Sequence, residues 1–329
     1  MEQRTLGTTG KDVSIVGLGT WQLGADWGEV SESDARAVLE ASVEAGVTFF
    51  DTADVYGDGR SEQLIGDFLR STGASVTVAT KMGRRVEQIP ENYTLDSFRA
   101  WTDRSRRNLG VDTLDLVQLH CPPSATIDDE VTYDALRTLV EAEAIAAYGV
   151  SVETCDQALS AIRHGAATVQ IILNAFRLKP LDQVLPAAAR AGVGIIVRVP
   201  LASGLLSGRY DRDTVFAHND HRSYNRHGEA FDVGETFSGV DYETGVAAAK
   251  EFAELVRAHG PEGATPAQVA IAWCAQQPGV TTVIPGARNV DQARSNAAAG
   301  LVPALSAELL EGITRIYDTH LRASIHPRW

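Results

Sequence analysis

The segment Thr48–Glu62, TFFDTADVYGDGRSE, begins as an apolar run that is typical of a buried strand and then reaches a carboxylate at Asp51. Tyr56 follows on a turn that contains Gly57 and Gly59. A carboxylate that closes a hydrophobic strand, with a phenol on the turn beyond it, is a pairing of groups that can carry acid–base chemistry. The segment therefore predicts a strand with functional groups at its carboxyl end.

The same strand-then-helix order repeats along nearly the whole chain. Segments with helical periodicity separate eight strand-like runs: VSIVGLGT, VTFFDT, SVTVATK, TLDLVQLH, AAYGVS, ATVQIILN, VGIIVRVP and TTVIPG. These runs are continuous rather than alternating, as in parallel strands that are buried on both faces. They predict one (β/α)8 TIM barrel domain over residues 1–329. An open doubly wound sheet is the alternative, disfavoured because no GxGxxG opens the first strand–helix turn.

Two segments fall outside this alternation. Residues 3–16, QRTLGTTGKDVSIV, predict a short N-terminal β-hairpin that turns at Thr9–Gly10. Residues from about 207 to 243 form one long irregular loop, and we expect it to cover the substrate. His218, His221 and His227 in this loop are candidate metal ligands, but we do not expect a metal because no cysteine accompanies them. Arg222 and Arg226 are candidate phosphate contacts.

Composition narrows the classes of function. The formal net charge of -14 argues against a nucleic-acid backbone or an anionic membrane surface as partner, since both require clustered Lys and Arg. No apolar run reaches the ~18 residues of a transmembrane helix, and the first residues contain no apolar signal core. The three cysteines, Cys121, Cys155 and Cys274, are far apart in sequence and predict a reducing cytoplasm without disulfides.

Four polar side chains are predicted to meet at one end of the barrel. Asp51, Lys81 and His120 end the second, third and fourth predicted strands, and Tyr56 lies on the loop after the second. The carboxyl ends of barrel strands share one rim, and that rim carries the chemistry of (β/α)8 enzymes. Taken singly, each side chain has a structural explanation: an ion pair, a core histidine or loop packing. The convergence of all four favours a catalytic role.

Together these groups suit proton donation to a carbonyl oxygen. A free phenol has a pKa of about 10, and the ammonium of Lys81 is expected to lower the pKa of Tyr56, moderated by Asp51. His120 is placed to hydrogen-bond the oxygen that receives the proton. The sequence shows no evident nucleophile–base pair for hydrolysis, so the groups predict protonation of a carbonyl whose carbon accepts a hydride.

Seven motifs in chain order resemble those of the aldo-keto reductase family: GLGTWQLG, FFDTADVYGDGRSE, VATK, DLVQLH, YGVS, PLASGLLSGRY and VIPGARNVDQARSN. The resemblance covers nearly the whole chain and implies a (β/α)8 barrel, NADPH as cofactor and a small carbonyl substrate. It implies that Tyr56 is the general acid, that Lys81 tunes it, and that Asp51 pairs with Lys81 beside the cofactor. It also implies that His120 orients the carbonyl and that Trp21 lines the substrate mouth.

The last of these motifs predicts a phosphate site on its own. IPGARNVDQARSN leaves a strand and enters a helix for which Asn289 is the expected N-cap, and helix N-termini attract phosphate. Arg288 is expected to contact a 2′-phosphate, which favours NADPH over NADH. The resemblance implies further cofactor contacts: Gly286, Arg288, Gln292 and Asn296 at the adenosine end; Leu201, Ala202, Ser203 and Arg209 near the pyrophosphate; Ser151 and Gln170 at the carboxamide, with Asn174 nearby; and Thr20 and Trp21 at the mouth.

Three positions depart from the family pattern. Arg198 stands where an aromatic ring usually stacks on the nicotinamide, and we expect its guanidinium to take that place, favouring the reduced cofactor or changing its seating. Val152 stands in place of an asparagine, so one carboxamide contact is expected to be lost. Ser295 stands in place of a glutamate, which removes one expected adenine contact.

The leading hypothesis is a cytoplasmic NADPH-dependent reductase of an aldehyde or ketone. A second is a non-catalytic cofactor sensor, because the aldo-keto reductase family includes regulatory β subunits of potassium channels. A third is an unrelated barrel hydrolase that uses Asp51 and His120 and does not bind NADPH. The substrate stays open among sugar-like ketones, small aldehydes and secondary-metabolite intermediates, and the oligomeric state stays open too.

Overall fold

The computed structural model describes residues 1–24 and 30–329. In this part of the chain the strands are β1 Gln3–Thr5, β2 Asp12–Ser14, β3 Leu18–Gly19, β4 Phe49–Asp51, β5 Thr77–Met82, β6 Leu116–His120, β7 Tyr148–Ser151, β8 Thr168–Ile172, β9 Gly194–Arg198 and β10 Val280–Val283. The α-helices are α1 Glu32–Glu44, α2 Arg60–Thr72, α3 Leu95–Leu109, α4 Ser124–Ile127, α5 Glu130–Glu141, α6 Cys155–Arg163, α7 Val184–Ala191, α8 His221–Tyr224, α9 Tyr242–His259, α10 Pro266–Ala275, α11 Val290–Ala298, α12 Ala307–His320 and α13 Arg322–Ile325.

Strands β3 to β10 pair in chain order, and each of these pairings is parallel. Parallel bridges between Val16 and Val283 and between Gly19 and Gly286 join the first barrel strand to the last. The predicted (β/α)8 barrel is therefore confirmed. The predicted N-terminal hairpin is confirmed as well, because β1 and β2 pair antiparallel with Gln3 opposite Ser14. The assignment of residues 1–329 to one domain stays a prediction.

An apolar cluster packs inside the barrel, mostly toward the amino-terminal ends of the strands. Its buried members are Leu6, Val13, Phe49, Ala79, Leu116, Ala147, Ala167, Ile196 and Ile284. Leu6 and Val13 come from the hairpin, so the hairpin closes this end of the barrel. Side chains in a strand alternate between faces, which puts Asp51 on the same face as Phe49 and directs it into the layer above. Asp51 and the other polar groups at the carboxyl ends of the strands thus lie next to this apolar cluster.

The long loop after β9 is more ordered than the sequence indicates. It contains α8 and two short 3₁₀ turns, Val233–Glu235 and Phe237–Gly239, before α9 begins. Gln170, one of the expected cofactor contacts, lies in the middle of β8. Within residues 1–24 and 30–329, no helix combines the length and apolarity that crossing a bilayer requires.

Candidate active site

Asp51 and Lys81 form a fully buried ion pair at the carboxyl ends of β4 and β5, with side chains 3% and 2% exposed. Lys81 Nζ donates to Asp51 Oδ1 and also to the carbonyl of Thr52, at 2.9 Å. The other Asp51 oxygen accepts from Gln118 Nε2 at 3.0 Å and from Gln170 Nε2 at 2.8 Å. Burial lowers the pKa of Lys81, but attraction to Asp51 and Tyr56 outweighs burial and raises the pKa overall. The ammonium is therefore charged and held in one place.

A strained turn carries Tyr56 into the barrel mouth. Gly57 and Asp58 have φ values of 58° and 53°, in the left-handed region, and Gly59 follows at 95°. A Cβ on Gly57 would lie 2.2 Å from the carbonyl oxygen of Gly24, so this position requires glycine. Asp58 tolerates its conformation because Arg104 Nη2 bonds both its carboxylate, at 2.9 Å, and its carbonyl, at 2.6 Å. Gly57 thus allows two backbone segments to approach closely beside the phenol.

The Tyr56 ring lies against Lys81 and His120. Lys81 Nζ is 5.2 Å from the ring centroid, and the His120 ring meets Tyr56 edge-on at 6.0 Å between centroids. Burial raises the pKa of Tyr56, Lys81 lowers it, and Asp51 and Glu235 raise it again, with a net rise above 10.0. The expectation of a lowered pKa for Tyr56 is wrong, because loss of hydration outweighs the ammonium. Tyr56 is consequently a fully protonated donor at neutral pH.

His120, at the end of β6, is neutral. Its pKa is lowered well below 6.5 by burial and by the positive charges of Arg84, Lys81 and Arg198. Within the described residues its buried Nδ1 has no hydrogen-bond partner. An uncharged imidazole with an unpartnered ring nitrogen suits contact with a neutral, polar substrate group.

A cavity of about 680 Å³ extends from Asp51 and Tyr56 to the start of α11. Most of the predicted cofactor contacts line it: Thr20, Trp21, Asp51, Gln170, Arg198, Leu201, Ser203, Arg209, Gly286, Arg288, Gln292 and Asn296. The described lining does not include Ser151 and Ala202, which are both buried. Ser151 Oγ instead lies 3.5 Å from Cys121 Sγ, and the Thr20 hydroxyl donates to the carbonyl of Asp51 at 2.9 Å.

The far end of this cavity lies against the first turn of α11. Asn289 caps this helix as predicted, since its side chain accepts from the backbone N–H of Gln292 at 2.9 Å. Gln292 in turn accepts from the backbone N–H of Arg288 at 2.9 Å, which orders the turn before the helix. Asn296 donates to the carbonyl of Gly286 at 3.0 Å. The Arg288 side chain itself is exposed at the cavity edge.

A second cavity, of about 360 Å³, adjoins the first in front of the phenol. Its lining comprises Trp21, Val55, Tyr56, Arg84, His120, Tyr224, Phe231 and Glu235. Trp21 borders both spaces, and its ring lies 6.1 Å from that of Tyr56 and 5.1 Å from that of His221. The loop after β9 thus supplies part of the wall, in keeping with its expected position over a substrate.

Within the part of the chain that the structure describes, the three loop histidines do not form a group that could hold a metal ion. His221 is buried against Trp21, whereas His218 and His227 are exposed. Burial lowers the pKa of His221 to about 4, so it is neutral. Arg222 pairs with Asp220, and the Arg226 guanidinium lies 4.4 Å from the Tyr242 ring centroid.

Several residues of the site had not been singled out in the sequence. Gln118 precedes His120 by two positions in β6, so strand alternation alone could have placed both on the inner face. Arg84, Glu153 and Glu235 form ion pairs around Arg198, but they come from three separate loops. No sequence pattern joins those loops, and their pairing had no readable signal.

Known proteins resemble this chain over nearly its full length. The sequence profile of the Aldo/keto reductase family matches residues 15–318. A probable voltage-gated potassium channel subunit beta from Oryza sativa subsp. japonica is 30% identical over 341 residues, covering 97% of each chain. The glycerol dehydrogenase of Gluconobacter oxydans superposes with a TM-score of 0.79 at 27% identity, covering 99% of this chain and 98% of that one.

A Klebsiella pneumoniae aldo/keto reductase, solved in complex with NADP and acetate, superposes with a TM-score of 0.70 at 25% identity over 96% of each chain. The fold similarity and the sequence profile point to the same family. The chain belongs to the aldo/keto reductase family.

Proposed function

We propose that this protein reduces an aldehyde or ketone to the alcohol with NADPH, and that Tyr56 donates the proton. Family membership makes it an NAD(P)-dependent oxidoreductase, which limits the chemistry to be explained. The observation that carries the proposal is the meeting of Asp51, Tyr56, Lys81 and His120 at one barrel rim, beside a cavity that reaches Arg288.

The cavity fits a dinucleotide phosphate. Its volume and elongated lining extend from the catalytic end to an N-capped helix start, a preferred position for phosphate groups. Arg209 and Arg288 are the exposed cations in this lining, and Arg288 would hold the 2′-phosphate. Gln170 would hold the carboxamide near Tyr56. When bound there, NADPH supplies a hydride to the substrate carbon.

The chain's own residues supply the proton and orient the carbonyl. Tyr56 holds its proton at neutral pH because burial raises its pKa, and Lys81 stabilises the phenolate that is left after the proton moves to the substrate oxygen. Asp51 keeps the ammonium beside the ring, and Gln118 fixes the carboxylate. Neutral His120 adds a polar contact to the oxygen without competing for its proton. Trp21 and Phe231 supply aromatic walls to the second cavity.

We expect NADPH consumption, followed by absorbance, when the protein is supplied with a small carbonyl compound. The structural likeness to a glycerol dehydrogenase places hydroxylated three-carbon aldehydes and ketones first in the panel. Simple aliphatic and aromatic aldehydes serve as comparison substrates. Binding of NADPH with no turnover on any member of a broad panel would contradict the proposal.

Binding of NADPH without turnover would instead support a function as a cofactor sensor. The specific observation in its favour is the 30% identity to a probable potassium channel subunit beta. Binding and turnover distinguish the two functions: both predict quenching of Trp21 fluorescence by NADPH, and the reductase alone predicts steady oxidation. If NADPH does not quench the tryptophan fluorescence of the protein, the result contradicts both functions.

Neither His120 nor Tyr56 should produce an inflection in the rate of reduction between about pH 6 and 8.5, and loss of the proton donor should lower the rate only at higher pH. His120 does not titrate in this range because its pKa lies well below 6.5. Tyr56 keeps its proton because its pKa is raised above 10.0, and rising pH removes the donor only as it approaches that raised value. The check is kcat against pH at saturating NADPH. An inflection near pH ~6.5 that disappears in His120→Gln would contradict the neutral assignment.

A further inference from the structure

Four charged side chains form a buried cluster beside the tetrad, here called the Arg–Glu cluster: Arg84, Glu153, Arg198 and Glu235. Arg198 Nη2 lies 2.9 Å from Glu153 Oε2, and Arg198 Nη1 lies 3.7 Å from Glu235 Oε2. Arg84 Nη2 lies 3.0 Å from Glu235 Oε1 and 3.6 Å from Glu153 Oε1. Each cation thus faces both anions. The side chains are between 10% and 19% exposed.

The Arg–Glu cluster lies at the junction of the two cavities. Arg198 and Glu235 line the first cavity together with Tyr56 and Gln170, and Arg84 and Glu235 line the second. Arg198 also donates to the carbonyl of Val152 at 3.1 Å, which fixes the guanidinium. Its Nε is buried and has no hydrogen-bond partner among the described residues.

This junction borders the position that the proposed function requires for the nicotinamide. The carbon that accepts the hydride is bonded to the oxygen that Tyr56 protonates, so the ring must occupy the end of the first cavity lined by Tyr56 and Gln170. Arg198 lines that same end. The oxidised ring carries one positive charge and the reduced ring none, so a fixed charge here acts on the two redox states differently.

Three cations and three anions surround this end of the first cavity. The cations are Lys81, Arg84 and Arg198; the anions are Asp51, Glu153 and Glu235. Burial raises the pKa of Glu153 to about 7, so at neutral pH this anion is partly protonated. Glu235 stays ionised: burial raises its pKa, but Arg84 and Arg198 outweigh that effect and lower the pKa to about 2. The balance at neutral pH therefore favours positive charge.

We propose that the Arg–Glu cluster sets the redox preference of the cofactor site, with Arg198 favouring NADPH over NADP⁺ and Glu153 opposing it. The inference rests on the proposed function and extends it to residues on three loops. A guanidinium at this end of the cavity would repel the positive ring of the oxidised cofactor, a charge that the reduced ring lacks. The carboxylate of Glu153 offsets that repulsion, which gives the two residues opposite signs.

The test measures Kd for NADPH and for NADP⁺ by quenching of tryptophan fluorescence in the wild type and three variants. Arg198→Met should lower the ratio of Kd for NADP⁺ to Kd for NADPH by roughly three- to tenfold. Glu153→Gln should raise the ratio, by a smaller factor because Glu153 is partly protonated at neutral pH. Arg198→Lys keeps the charge and should stay within about twofold of the wild-type ratio. Thermal melts of each variant confirm that it is folded.

The opposite signs separate an electrostatic role from a structural one, because general loosening of the wall would move both ratios the same way. Equal shifts in Arg198→Met and Glu153→Gln, or unchanged ratios in both, would overturn the inference while leaving the reductase proposal intact. If neither nucleotide binds the wild type, the proposed function fails and this inference fails with it.

Discussion

Replacing Tyr56 with phenylalanine is expected to lower kcat for carbonyl reduction by about 10²- to 10⁴-fold, the range typical of a lost general acid. Phenylalanine keeps the ring between Trp21 and Lys81 and removes the one atom of this side chain that donates a proton. The Kd for NADPH should change by less than about twofold, because cofactor binding depends on the far larger surface of the first cavity. Steady-state kinetics and fluorescence titration give the two quantities separately.

Tyr133→Phe is the matched control. Tyr133 is fully buried in α5, and its hydroxyl has no hydrogen-bond partner within the described residues. Removing that hydroxyl costs the fold little and should leave kcat unchanged. A Tyr56→Phe variant that turns over like the wild type would remove Tyr56 from its assigned role.

Arg288→Ala is expected to weaken NADPH by about 10- to 100-fold and NADH by less than about threefold. The guanidinium lies at the cavity edge next to the capped start of α11, where a phosphate gains from both the charge and the helix terminus. NADH lacks the 2′-phosphate, so it loses only a peripheral contact. Fluorescence titrations with both nucleotides measure the difference.

Arg294 offers the matched control on the same helix. Its side chain is 60% exposed and pairs with Glu44 at 3.2 Å, on the surface of the barrel. Arg294→Ala removes the same charge from α11 without touching the cavity and should leave both affinities near those of the wild type. Equal losses of NADPH and NADH in Arg288→Ala would mean that the contact is not with the 2′-phosphate.

Most of the fold could be predicted because the strands and helices of the barrel follow from local sequence patterns. Most strands are short apolar runs, and several helices begin at a capping side chain, such as Ser31, Thr94 and Thr154. The positions of Asp51 and His120 at strand ends needed only these local signals and the rule that parallel strands share a carboxyl end. The Asn289 cap was predicted in the same way, from a preference that acts within one helical turn.

The direction of the pKa shift of Tyr56 could not be predicted from local sequence. The type and spacing of Tyr56 and Lys81 predict an ammonium beside a phenol, and the structure confirms that proximity. The direction of the pKa shift depends on how much water the surrounding strands and the loop after β9 remove from the phenol. Because burial is the largest effect on Tyr56, the expected sign was reversed.

Sequence patterns were enough to predict the barrel, the family and the four polar groups at one barrel rim, since each depends on residues that are close in the chain or on one shared rim. The contacts of Arg198 with Glu153 and Glu235 become visible only in the folded molecule, because these ion pairs join residues 45 and 37 positions apart. Coulomb interactions depend on distance and burial in the folded molecule, and neither is set by separation along the chain.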